Sequence, residues 1–273
     1  MNLESLPDIN ISDINAYSYN ELLELCEFNN INDIQITNTS IEGLKYLKIE
    51  NIMKNPLDLR NFLLKYPTED KNRSITEGEG HSFSKDSKSP GIQQPIERQL
   101  LPSIGNHIYF LAKRLNFLKY NKKDITWKYY TNAYYNGMTS WNKNYLPHVD
   151  PFSYAANIFL THSPNTSTSF YRVRDRVTNQ YFYGASSICQ NPETRERHKR
   201  NLQERYDFND KMFCPCGRNP WVKYEGDDYY ERYFHIPSTF NTLVMYMGRR
   251  WHTPCFDAVN EKKVRYSLVA VIE

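Results

Sequence analysis

The chain has 273 residues, enough for one large domain or one domain with an appendage, and enough to bury a substantial core. Lysine and arginine total 34 against 31 aspartate and glutamate, so the net charge of +3 leaves a nucleic-acid partner open without indicating one. No apolar run reaches membrane length and the N-terminus lacks a signal-peptide pattern, so we expect a soluble, cytoplasmic protein.

The cysteines give no clear pattern, because there are five of them at uneven spacing and this does not suggest a disulfide framework. The pair in Cys214-Pro215-Cys216 is poor zinc spacing without a second pair. Ordinary reduced thiols are the favoured interpretation, and a small metal site completed by His235 is the alternative.

The first third of the sequence predicts an extension and then a small ordered unit. Residues 1–45 are polar and are predicted to be an N-terminal extension carrying a short helix near Tyr19–Phe28. Tyr46–Ile49 alternates as a strand does. A helix is predicted to begin at Pro56 with Asn55 as its N-cap.

The next segment, residues 67–95, has few large apolar side chains and is predicted to be a mobile loop, with a possible role as a lid over a substrate. Leu100–Leu118 then has the apolar spacing of an amphipathic helix. The charged residues 191–206 favour a solvated surface helix over a nucleic-acid patch.

From Thr126 onward the pattern predicts strands separated by turns. They are predicted at Trp127–Tyr135, Tyr154–Thr161, Thr168–Val173, Tyr229–Ile236, Thr242–Met247 and Arg265–Ile272. Helices followed by many strands favour an α+β, mainly β fold, a sandwich or jelly roll with N-terminal helices packed outside. The domain is predicted to span residues 46–273.

A candidate metal site lies in Leu146-Pro147-His148-Val149-Asp150-Pro151. His148 and Asp150 are two residues apart, so in a strand both point to one face. A third ligand is offered by His252, where Thr253-Pro254 is expected to end the preceding strand. Two histidines and one carboxylate make the facial triad that holds non-haem Fe(II).

A candidate carboxylate anchor follows 13 residues later, at Arg265 and Ser267 (265 − 252 = 13). They share a strand face by the same spacing. A guanidinium binds a carboxylate through two parallel hydrogen bonds, and a nearby hydroxyl adds a third. An iron enzyme that uses a 2-oxo acid needs such a group. Arg172 and Arg174 could line a substrate channel, although solvated strand ends are the simpler interpretation.

This order of motifs resembles that of the Fe(II)/2-oxoglutarate-dependent oxygenases: H-x-D, a distant histidine, then R-x-S on the following strand, as in isopenicillin N synthase-like members. The stretch Asn132-Ala133-Tyr134-Tyr135-Asn136-Gly137 resembles the N-x-Y-x-x-G of alkylation-repair oxygenases, where the asparagine and tyrosine contact 2-oxoglutarate. Further segments look like a little-characterised phage and bacterial group of these oxygenases, over roughly residues 46–273. They are residues 49–56, 60–62, 170–172 and 241–246.

The resemblance implies a double-stranded β-helix with Fe(II) held by His148, Asp150 and His252. It also implies 2-oxoglutarate anchored by Arg265, with Ser267, Tyr134 and Asn132 as further contacts. O₂ and 2-oxoglutarate would then be consumed, with release of succinate and CO₂, most simply in a hydroxylation. The substrate class stays open among a protein side chain, a nucleobase and a small metabolite.

One departure from the family pattern is residues 163–168, where a glycine-rich turn is expected and no glycine occurs. Two other hypotheses also stay open. One is a jelly-roll binding or scaffold protein without turnover. The other is a cupin-type metalloenzyme that does not use 2-oxoglutarate.

Overall fold

The structure is a computed structural model, and the residues that it describes fall into several ranges. These are residues 17–65, 92–96, 98–119, 121, 126–135, 147–150, 152–161, 163–184, 187–188, 190–206, 229–256 and 264–272. Within them the helices are α1 (Tyr19–Leu25), α2 (Pro56–Lys65), α3 (Ile104–Arg114) and α4 (Pro192–Tyr206). The strands are β1 (Gln35–Ile41), β2 (Leu44–Glu50), β3 (Ile92–Ile96), β4 (Trp127–Tyr135), β5 (Tyr154–Phe159), β6 (Ser163–Arg174), β7 (Tyr181–Phe182), β8 (Tyr230–Ser238), β9 (Thr242–Met247), β10 (His252–Phe256) and β11 (Val264–Ile272).

The strands form two antiparallel sheets. The larger sheet has seven strands in the order β1-β2-β9-β5-β11-β4-β3. In the smaller sheet, β6 pairs with β8, with β10 and, at its end, with β7. Neighbours in sequence seldom pair, so the chain crosses repeatedly between the sheets.

Alternation along the strands of the larger sheet separates two buried layers. On β11, Leu268 and Ala270 belong to one apolar cluster, while Val269 and Val271 belong to another. The second cluster also contains Phe170 and Ile236 from the smaller sheet, so it fills the space between the sheets. Residues of β11 at odd numbers therefore face the interior of the sandwich, as period-two side-chain alternation requires. Arg265 and Ser267 are among them.

The opposite face of the larger sheet is covered by helices. Ile104, Ile108 and Ala112 of α3 recur at four-residue steps and are buried with Leu268 and Ile272 of β11. Helix α2 begins where the sequence predicts, since the Leu59 amide donates to the Asn55 carbonyl over 3.0 Å. Fully burying one such leucine or isoleucine contributes about 1.5–3 kcal/mol, so this layer stabilises the scaffold beneath the site.

The N-terminal part of the chain differs from the prediction of a separate extension over residues 1–45. Strand β1 pairs with β2 along its whole length, and Leu22 and Cys26 are buried in the core against the helices. The sequence did not predict β1 because most of its residues are polar. Polar residues are tolerated there because β1 is an edge strand whose side chains are mostly exposed. Residues 1–16 lie outside the described residues.

Two further predictions need correction. Residues 92–95, placed in the loop 67–95, belong to strand β3, which pairs with β4; residues 66–91 are outside the described part of the chain. Residues 163–168, expected to form a turn, belong to strand β6. Predictions for β4 and β9 are confirmed to the residue. No helix in the described ranges is long and apolar enough to span a bilayer.

Candidate metal centre

His148 and His252 are held side by side by the backbone. They form an isolated antiparallel bridge in which each backbone amide donates to the other's carbonyl over 2.9 Å. Their ring centroids are 4.6 Å apart. A directly opposed pair brings two side chains to one face of a sheet, so residues 104 apart in sequence (252 − 148) meet at one point.

Asp150 completes the cluster two residues beyond His148. Its amide donates to the Gly248 carbonyl over 2.8 Å, which fixes the chain as it leaves the bridge. One carboxylate oxygen lies 3.8 Å from Nε2 of His148 and the other lies 3.3 Å from Nε2 of His252. One ligand atom from each of the three residues lies within 4.8 Å of the others, so the group could hold a metal ion.

The orientation of the His252 ring is set from its other side. Nδ1 lies 2.8 Å from the Arg250 carbonyl and must donate to it, since a carbonyl only accepts. The neutral ring therefore presents the lone pair of Nε2 toward Asp150, which is the tautomer that metal binding requires. Burial lowers the pKa of His252, but the charge of Asp150, the hydrogen bond of the protonated ring to that carboxylate and the hydrogen bond to the Arg250 carbonyl outweigh it, so the pKa is raised overall.

Two aromatic rings lie close to the imidazole of His252. The ring of Tyr246 meets that of His252 edge to face, with the centroids 5.1 Å apart, and the centroid of the Phe170 ring lies 6.2 Å from that of His252.

Strand β10 begins at His252, so the expectation that a strand ends there is wrong. Pro254 lies inside β10 as the register partner of Thr168. Because β10 is at the sheet edge in this order, a residue without an amide proton is tolerated.

Arg265 reaches across the sandwich from β11 to β6. Its side chain is only 4% exposed, Nη2 donates to Oγ1 of Thr168 over 3.1 Å, and its guanidinium carbon lies 5.1 Å from the Phe159 ring centroid. Ser267 is buried on the same face. In the backbone register, Tyr134 is the partner of Arg265 and Asn132 the partner of Ser267. The four residues predicted to contact 2-oxoglutarate thus fall on two adjacent strands, β4 and β11.

The structure does not bring the remaining described candidates to this cluster. Arg172 forms ion pairs with Glu42 and Glu231, and Arg174 hydrogen-bonds Asn179 in the β6–β7 hairpin, so both belong to the surface structure. His235 is exposed on β8. Cys214 and Cys216 lie outside the described residues.

Three residues that sequence reasoning missed are Thr168, Gly248 and Arg250. Gly248 packs so closely that a Cβ there would lie 2.7 Å from the Phe152 carbonyl oxygen. Thr168 contacts Arg265 across the two sheets, which no local spacing encodes, whereas Arg250 contacts His252 from only two residues earlier in the chain. The one available signal was that Gly248 and Arg250 precede His252 in a short turn.

No protein-family model matches the sequence, and no curated protein matches it. Among solved structures, the chain is similar to SnoN, a non-haem α-ketoglutarate-dependent epimerase from nogalamycin biosynthesis. The identity is 10% and the TM-score 0.34, over 68% of this chain and 63% of SnoN, so the chain spans less than two thirds of that protein. It is also similar to HygX from Streptomyces hygroscopicus, solved with nickel and 2-oxoglutarate bound. That match has 10% identity and a TM-score of 0.32, over 69% of this chain and 71% of HygX.

Proposed function

We propose that the chain is an Fe(II)- and 2-oxoglutarate-dependent oxygenase built on a double-stranded β-helix, most simply a hydroxylase. The path of the chain supports this fold. It runs from β4 in the larger sheet to the His148 bridge beside β10, and returns to β5. It then crosses to β6 and β8, returns to β9, crosses to β10 and ends on β11. Such alternation between two antiparallel sheets is the winding of a jelly roll.

The observation that carries the proposal is the convergence of His148, Asp150 and His252. Two imidazoles and one carboxylate suit Fe(II), and three ligands from the protein leave positions for a co-substrate and O₂. The donor set fits this ion in a second respect. Nδ1–H of His252 donates a hydrogen bond to the Arg250 carbonyl, so in the neutral ring Nε2 carries the lone pair beside the Asp150 carboxylate.

Arg265 supports 2-oxoglutarate as the co-substrate. A guanidinium binds a carboxylate through two parallel hydrogen bonds, and that of Arg265 is buried beside the Thr168 hydroxyl, to which it donates. Thr168 is two positions along β6 from Phe170, the register partner of His252. Two strand residues span about 7 Å, a separation that one dicarboxylate can bridge.

Each residue then has a defined task. Bound Fe(II) and 2-oxoglutarate would supply O₂-dependent oxidation, in which 2-oxoglutarate, O₂ and a C–H bond yield succinate, CO₂ and a C–OH group. Arg265 orients the co-substrate by its distal carboxylate, with Ser267, Tyr134 and Asn132 as proposed further contacts. The rings of Phe170 and Tyr246 exclude water from one side of His252.

The test is an anaerobic titration of the purified protein with Fe(II) and 2-oxoglutarate, followed by the visible charge-transfer band of the chelate. Wild type should develop the band. Arg265→Leu should require roughly 10- to 100-fold more 2-oxoglutarate, because it loses a charge-assisted pair of hydrogen bonds worth about 1.5–3 kcal/mol. Arg174→Gln, which removes an exposed arginine of the β6–β7 hairpin, is the matched control.

The two other hypotheses predict different results. A band unaffected by Arg265→Leu would refute Arg265 as the anchor of 2-oxoglutarate. If wild type gives no band at saturating iron, binding of a metal ion alone would favour a metalloenzyme that does not use 2-oxoglutarate, and absence of metal binding would favour a scaffold protein. His252→Ala should abolish succinate release, and full release by that variant would refute the assignment of the metal ligands.

A further inference from the structure

The tip of the β1–β2 hairpin lies against the turn that carries His252. Glu42 and Gly43 at this tip have φ angles of 46° and 74°, in the left-handed region that tight hairpin turns use. The carbonyl of Gly43 accepts a hydrogen bond from Nη2 of Arg250 over 2.8 Å. The backbone carbonyl of Arg250 in turn accepts a hydrogen bond from Nδ1–H of His252.

The carboxylate of Glu42 adds a second connection to the smaller sheet. It pairs with Nη1 of Arg172 at 2.7 Å and accepts from the Tyr183 hydroxyl at 3.0 Å. The Arg250 guanidinium carbon lies 5.7 Å from the Tyr183 ring centroid. Arg172 is further fixed by Glu231 at 2.5 Å, and this hydrogen bond lowers the pKa of Glu231. The tip is therefore bound by several groups and does not rest on one contact.

The His252 turn is also held from its other side. The Trp251 amide donates to the Tyr183 carbonyl over 3.0 Å. Gly184 follows directly, and the carbonyl of Arg249 occupies the space where a Cβ of Gly184 would lie. The backbone of Arg249, Arg250 and Trp251 is thus enclosed between the hairpin tip and the Tyr183–Gly184 segment.

We propose that the tip of the β1–β2 hairpin, residues Glu42 and Gly43, is a positioning element for the metal site and acts on His252 through Arg250. This inference rests on the proposed function, because it needs His252 to be a metal ligand. An arginine whose side chain is anchored at Gly43 holds its own carbonyl in one place. That carbonyl selects the tautomer and the orientation of the His252 ring, and such outer contacts typically change metal affinity 10- to 100-fold.

The competing explanation is that the hairpin only extends the larger sheet. Strand β1 is an edge strand with mainly exposed side chains, and β2 pairs with β9 whatever the tip does. Under that explanation, changes at the tip alter the stability of the fold and leave metal affinity untouched. The two explanations differ in one measurable quantity, the dissociation constant for a metal ion.

The experiment is a titration of the metal-free protein with Co(II) alone, followed by the d–d absorption bands of the bound ion. Arg250→Met removes the donor to Gly43 and should raise the dissociation constant about tenfold. Arg250→Lys keeps a donor for the Gly43 carbonyl and should recover part of that loss. Glu42→Gln keeps the shape of the side chain but weakens its ion pair with Arg172, so we expect about a threefold rise.

The matched control is Glu50→Gln, which breaks the ion pair between Lys48 and Glu50 on the same hairpin. Its Co(II) affinity and d–d spectrum should equal those of wild type. Urea unfolding of each variant separates loss of fold from loss of affinity. Wild-type affinity and an unchanged spectrum in both Arg250 variants would overturn the inference while leaving the metal site intact. Failure of wild type itself to bind Co(II) would overturn the proposed function, and this inference with it.

Discussion

Replacing Gly248 with alanine should displace Asp150, a proposed metal ligand. The new Cβ would lie 2.7 Å from the Phe152 carbonyl oxygen and 3.2 Å from Cβ of Asp150, where ordinary contacts begin at 3.4 Å. The backbone must therefore shift by up to 3.4 − 2.7 = 0.7 Å. The Gly248 carbonyl accepts a hydrogen bond from the Asp150 amide, so a shift of the Gly248 backbone should also displace Asp150.

The size of the effect follows from two general magnitudes. Overpacking of this kind costs typically about 1–3 kcal/mol of folding free energy. A ligand set must hold its geometry within about 0.5 Å, so a displacement of this size should also weaken Co(II) binding about 10- to 100-fold. The assay is Co(II) titration followed by d–d absorption, with urea unfolding of the same samples.

Gly105→Ala is the control, because it creates a similar clash far from the ligands. A Cβ there would contact the Tyr129 hydroxyl and would lie 2.8 Å from Cδ1 of Trp127, in the layer under α3. It should lower stability and leave the Co(II) dissociation constant at the wild-type value. Equal affinity of Gly248→Ala and Gly105→Ala for Co(II) would refute the reasoning.

Two further predictions concern stability. Burial lowers the pKa of His198 to about 3, so below pH 6.5 protonation favours the unfolded chain and stability should fall by about 1.4 kcal/mol per pH unit, up to roughly 5 kcal/mol. His198→Gln cannot protonate, and urea unfolding from pH 7 to pH 4 should show a shallower slope; an unchanged slope would contradict this origin. Asn241 hydrogen-bonds the amide and carbonyl of Met53 at a φ of 54°, so Asn241→Ala should cost about 3 kcal/mol. Asn241→Gly, which relieves only the backbone strain, should unfold at a urea midpoint between those of wild type and the alanine variant.

The strands that could be predicted from the sequence include those with an uninterrupted apolar run. Strand β9, TLVMYM, is buried on both faces and has no polar interruption, so its bounds are confirmed. Strand β1 has the sequence QITNTSI and could not be found, because an edge strand needs few apolar residues. Strand β10 was not predicted because Pro254 was expected to end a strand. In the structure Pro254 lies within β10, where the edge of the sheet tolerates a residue without an amide proton.

The candidate site could also be predicted only in part from the sequence. Spacing of two residues was enough to expect that His148 and Asp150 would share a face, and that Arg265 and Ser267 would too. It could not show that His148 and His252 would be direct backbone partners, since a register between distant segments leaves no local trace. Nor could it find Thr168, which meets Arg265 only because the two sheets pack face to face.

The bridge between His148 and His252 closes a loop of 104 residues (252 − 148) that contains β5 to β9. A metal ion bound across this pair would join the two ends of that loop. In the chain-entropy model, a covalent bond that closes a loop of about 100 residues stabilises a fold by up to about 4.7 kcal/mol. Unlike a covalent bond, a reversibly bound ion would be released on unfolding, so it would stabilise the fold by mass action, to an extent set by the metal concentration relative to its dissociation constant. Metal supply would then set how much folded protein a cell retains against its proteases, in addition to how active that protein is.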